Sequence, residues 1–107
     1  MKKIVLALIF FVSSISLAAA NPISDVDRYD AREDLKADLM ERYESSYSTV
    51  NMLLKSGMKN YDKLCAIDDN EVNNKILRDL KERYYPSFST IFMLYKSNIK
   101  AYNELND

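Results

Sequence analysis

Residues 79–105, DLKERYYPSFSTIFMLYKSNIKAYNEL, nearly repeat residues 38–64, DLMERYESSYSTVNMLLKSGMKNYDKL, at an offset of 41. Upstream, Val26-Asp27 aligns with Ile67-Asp68 at the same offset. The chain therefore divides into two units, 26–66 and 67–107, identical at 16 of 41 aligned positions. A period of this length marks one supersecondary unit used twice. Such a unit cannot bury its apolar face alone, so the two must cover each other.

Within each unit the apolar spacing is helical. Ala31, Leu35, Leu39 and Tyr43 recur every four residues, and so do Val72, Ile76, Leu80 and Tyr84. An apolar stripe with charges between its members is an amphipathic helix. Asp27 and Asp68 stand where an N-cap would, each with an acid three residues on (Asp30, Glu71) to complete a capping box. The second helix of each unit carries the wider stripe: Tyr47, Val50, Leu54, Gly57, Tyr61 and Leu64, then Phe88, Ile91, Tyr95, Asn98, Tyr102 and Leu105. Between the two helices, Glu44-Ser45-Ser46 and Tyr85-Pro86-Ser87 read as tight turns, with one long kinked helix per unit as the alternative. Pro86 lacks an N–H and pushes Tyr85 out of the helical region, and Ser46 or Ser87 can cap a new helix. The spacing thus predicts an all-α fold with helices over 27–43, 46–64, 68–84 and 87–105. These form a small bundle of two tandem helix-turn-helix repeats about a pseudo-twofold axis. Nothing alternates with the period of a strand.

Residues 1–20 read as an export signal. Lys2 and Lys3 form a basic start, 4–17 are almost wholly apolar, and Ala18-Ala19-Ala20 offers the small residues that precede a cut. The apolar run is shorter than the ~20 residues of a spanning helix, so cleavage after Ala20 is expected, with no membrane insertion afterwards and a periplasmic or secreted single domain over 21–107. Residues 21–25 then form a short leader. Losing Lys2 and Lys3 takes the net charge from −1 to −3. That argues against nucleic acid, which needs a clustered basic face. Cys65 is the single cysteine. It is either buried at the helix end or free to bridge two chains as a homodimer.

The inventory for chemistry is thin. The chain has no histidine, one cysteine and one glycine. The commonest general base, an ordinary zinc or copper site and a glycine-rich phosphate cradle are all ruled out on that ground. No catalytic residue, metal or cofactor is expected, and the chain reads as a non-enzyme. What the units share beyond packing is polar: E-R-Y-x-x-S at each corner. The candidate binding residues are therefore Arg42, Tyr43 and Ser46 with Arg83, Tyr84 and Ser87. Arginine donors beside a helix start suit an anionic group. The chain also carries eight tyrosines and no tryptophan, and tyrosine is favoured where proteins meet. The expected function is an exported helical protein that binds a partner protein, in the manner of a toxin-neutralising or chaperone-like module. The alternative is an anionic small-molecule binder with its site between the repeats.

Overall fold

A computed structural model describes residues 20–107, so the expected export signal lies outside the described residues but for Ala20. The described residues form four α-helices and no strand: α1 (Arg28–Tyr43), α2 (Tyr47–Cys65), α3 (Glu71–Tyr84) and α4 (Phe88–Leu105). Each half is two helices joined by a turn, at 44–46 and 85–87. Glu44 takes φ 40°, which swings the chain sharply off α1.

Three helix starts fall within one residue of expectation; α3 starts late. Asp27 caps α1 as expected, accepting from the Tyr29 N–H at 3.0 Å. Asp68 does not cap α3. Asn70 does, accepting from the Asn73 N–H at 2.8 Å. The Asp68 carbonyl is instead held by Asn73 Nδ2 at 3.1 Å, which keeps 67–70 as a loop. Ser46 and Ser87 occupy the cap positions of α2 and α4 but make no side-chain bond to the helix.

α1 packs on α2, α2 on α4, and α4 on α3, so α2 and α4 form the central pair. Asn60 meets Ser89, and Lys63 sits over the Phe92 ring, 5.5 Å from its centroid. Both contacts advance together along the two helices, so α2 and α4 run parallel with a register of 29 residues. The core is Ile23, Ala31, Leu35, Leu39, Val50, Leu54, Met58, Tyr61, Leu64, Leu77, Leu80, Phe88 and Ile91.

Burial departs from the expected stripes at Tyr43 and Tyr47, which are exposed, and more widely in the second half. α3 turns Asn73, Asn74, Leu77 and Leu80 inward, leaving Val72 and Ile76 half-exposed and Tyr84 exposed. In α4 only Phe88 and Ile91 are buried, and the stripe beyond Asn98 lies open. The leader is also not loose. Asn21, Pro22 and Ile23 are buried. Asn21 Nδ2 donates to the Leu64 and Ile67 carbonyls, and its Oδ1 accepts from the Ile23 and Ser24 N–H groups. Lys81 Nζ donates to the Pro22 carbonyl at 2.9 Å. The segment thus ties the C-terminal end of α2 to α3.

At Gly57, α1 passes close against α2. A Cβ there would stand 2.4 Å from Leu35 Cδ2. Gly57→Ala gains about 1 kcal/mol of helix propensity, but overpacking a filled site costs about 1–3 kcal/mol. Leu35 is 4% exposed, so its methyl has little room to retreat. The expected net effect is a loss of about 1 kcal/mol in urea unfolding. In a Leu35→Val background, where that methyl is gone, Gly57→Ala should become neutral or stabilising. Equal effects in both backgrounds would contradict the clash.

Candidate functional site

The E-R-Y corners end α1 and α3. Arg42 Nε pairs with Asp38 at 2.9 Å and Arg83 Nε with Asp79 at 3.3 Å, each one helical turn back along its own helix. Both arginine side chains are well exposed, and Tyr43 and Tyr84 are exposed beside them. The six candidate residues do not converge. Arg42, Tyr43 and Ser87 line one crevice of about 130 Å³, without Ser46, Arg83 or Tyr84. Two helices that end at different places in the bundle carry their corners apart, whatever the sequence likeness of those corners.

A larger feature lies between α3 and α4. It is an open groove of about 620 Å³ whose apolar lining is Val72, Ile76, Ala101, Tyr102 and Leu105, with Lys75 between Glu71 and Asp79 along one side and Asn98 on the other. Tyr102 is 40% exposed and Leu105 is 85% exposed, although both continue the apolar stripe of α4. An amphipathic pattern normally ends up facing a core; here its last turns face solvent. The signal was present in the sequence as Asn98, a polar residue on that stripe where the first unit has Gly57.

The corresponding groove between α1 and α2 is filled. Phe88, 1% exposed, meets the Tyr61 ring edge-on at 5.2 Å between centroids, and Tyr85 meets Phe88 at 5.5 Å. The Tyr61 hydroxyl donates to the Val26 carbonyl at 2.5 Å, and the Tyr85 hydroxyl donates to the Asp34 carboxylate. Burial, and then a bond with Cys65, pushes the Tyr61 phenol up to about 12. Burial and the Asp34 carboxylate also raise Tyr85, and burial raises Tyr95. Cys65 is a free, half-buried thiol that burial holds above its ordinary value.

These raised phenols set an alkaline limit on stability. The unfolded chain gives up its tyrosine protons near pH 10, whereas the folded chain keeps the Tyr61 proton to about 12. Stability from this source is complete below pH 10 and is lost as pH rises toward 12, on the order of 2 kcal/mol for Tyr61. Urea melts between pH 8 and 12 should show the decline starting near 10, and Tyr61→Phe should flatten it. A stability independent of pH across that range would contradict the burial of these hydroxyls.

Compared with protein-family models, curated proteins and solved structures, the chain matches none. Among the described residues no cluster of His, Cys, Asp or Glu is arranged to hold a metal ion, and no helix is long and apolar enough to cross a membrane.

Proposed function

We propose that this is an exported, non-catalytic helical protein that engages a partner protein through the aromatic and apolar surface its own fold leaves open. The observation that carries this reading is the α3–α4 groove, where none of the described residues packs over an apolar stripe with exposed Tyr102 and Leu105. Open apolar surface of this kind is characteristic of interaction sites. The absence of histidine from the sequence supports a non-catalytic role. Export to the periplasm or beyond rests on the signal pattern of residues 1–20. The small-molecule reading has less support. The crevice beside Arg42, at about 130 Å³, is well short of an ordinary ligand site, and no arginine lines the larger groove.

The two units are proposed to be copies of one helix-turn-helix hairpin. A plain pseudo-twofold would set equivalent residues of α2 and α4 side by side. The register of 29 falls twelve residues short of the repeat of 41, about 18 Å of helix at 1.5 Å per residue. The relation that fits is therefore a half-turn combined with a shift along α2.

The test is a pull-down of tagged 21–107 from its own cell envelope, with each captured protein then titrated against variants. Arg42→Ala with Arg83→Ala should barely move the melting temperature, because each exposed pair contributes at most ~1 kcal/mol. If the corners anchor the partner, the same double change weakens binding by ~2 kcal/mol or more in calorimetry. Unchanged affinity removes the arginines from the site. Ala101→Glu, placed in the groove, tests the apolar surface in the same assay.

A further inference from the structure

The two halves of this protein differ in what fills their grooves, and the repeat supplies the missing occupant. In the first half, the groove between α1 and α2 receives the α3–α4 corner. Phe88 seats on Tyr61, the Tyr85 hydroxyl bonds Asp34, and Asn60 Nδ2 donates to Ser89 Oγ at 2.8 Å. Carried forward by 41 residues, Asp34, Leu35, Asn60, Tyr61 and Leu64 become Lys75, Ile76, Ala101, Tyr102 and Leu105. All five of these line the open groove. Carried back by 41, the seated corner residues Tyr85, Phe88 and Ser89 become Glu44, Tyr47 and Ser48. All three are exposed, Tyr47 at 66%. Among the described residues there are thus one seated corner, one open groove and one corner without a seat.

Two of the three contacts keep matched partners, while the third, Asn60 with Ser89, becomes Ala101 with Ser48 and loses its hydrogen bond. Where the Tyr85 phenol meets the Asp34 carboxylate, the Glu44 carboxylate would meet the Lys75 ammonium. Where Phe88 meets Tyr61, Tyr47 would meet Tyr102. Both residues of the pair change together, and a phenol–carboxylate hydrogen bond becomes an ammonium–carboxylate ion pair.

We propose that the α3–α4 groove takes the α1–α2 corner of a second copy of this chain, head to tail. This rests on the protein-partner reading above and names the partner. One chain cannot make the contact with itself. Asn60 on α2 is level with Ser89 on α4, and Tyr47 lies thirteen residues before Asn60 while Ala101 lies twelve after Ser89, so the two stand roughly 37 Å apart along the helices. A half-turn with a shift does not close, so copies add in a row instead of ending at a symmetric dimer.

Sedimentation velocity on 21–107 tests this between about 10 µM and about 1 mM, the range in which small interfaces assemble. The weight-average mass should climb with concentration. Tyr47→Asp and Ala101→Glu alter exposed residues, so circular dichroism should be unchanged, and each should weaken association at least tenfold. Mixing the two variants should give a heterodimer and nothing larger, since the mixture retains one intact groove and one intact corner per pair. Lys75→Glu should also dissociate the wild-type assembly and be rescued by Glu44→Lys in the same chain. A wild type that stays monomeric throughout, a variant that assembles as well as wild type, or a mixture that stays monomeric overturns the proposal. The protein-partner reading fails by a separate result, when wild-type and Ala101→Glu baits capture the same proteins from the envelope to the same extent.

Discussion

Phe88→Ala is expected to lower the free energy of unfolding by about 3–5 kcal/mol, the usual range for deleting a buried ring. Phe88 is 1% exposed and opens α4 directly after the corner. Its ring bridges the two halves, with the Tyr61 ring at 5.2 Å and the Tyr85 ring at 5.5 Å. Removing it leaves a hole where α4 enters the α1–α2 groove, and the rings around it are held by hydroxyl bonds to Val26 and Asp34 that resist collapse. A domain of this size has roughly 5–15 kcal/mol to lose, and each kcal/mol moves the melting point by about 4–8 °C. A fall of more than about 12 °C should appear in a thermal melt. Phe92→Ala is the control. That ring is only half-buried, flanked by the ammonium groups of Lys63 and Lys96, and should cost much less. If the two variants melted together, Phe88 could not be the joint between the halves.

Removing residues 21–23 should destabilise the protein by a comparable amount, about 3–5 kcal/mol. Ile23 is 1% exposed, and losing a buried aliphatic side chain costs about 2–5 kcal/mol by itself. Asn21 adds four hydrogen bonds to backbone groups at the C-terminal end of α2, in the loop after it and in the segment itself. Without it, the Leu64 carbonyl keeps the Ile67 N–H at 3.2 Å, but the buried Ile23 N–H loses its acceptor, and an unsatisfied buried group costs about 1–3 kcal/mol. Asn21→Ala isolates the polar share and should cost about 1–3 kcal/mol. A chain beginning at Ser24 should melt well below one beginning at Asn21 and below the Asn21→Ala variant. Equal melting points would return these residues to the status of a loose leader.

Four helices, their order, and the turns at 44–46 and 85–87 follow from local rules. Spacing of Leu35 and Leu39, of Val50 and Leu54, and of Ile76 and Leu80 sets a helical period, and Asp27 caps its helix with its own side chain. These depend on residues within a turn or two of one another, so the sequence determines them without reference to the rest of the chain. The repeat at 41 is legible for the same reason, as a comparison of the chain with itself.

What the sequence did not decide is which side of each helix meets another. The stripe Val72, Ile76, Leu80, Tyr84 was as regular as Ala31, Leu35, Leu39, Tyr43, yet α3 buries Asn73, Asn74 and Leu77 beside Leu80. The choice depends on how far α4 is shifted along α2, and that shift is set by Phe88 seating on Tyr61, twenty-seven residues away in the chain. Residues that match at an offset of 41 in sequence therefore meet different surroundings: Tyr61 is buried and Tyr102 is open. The burial of Ile23 is decided the same way, because an isolated leader has no apolar period of its own to read and gains its place only when α2 and α3 are already there to hold it.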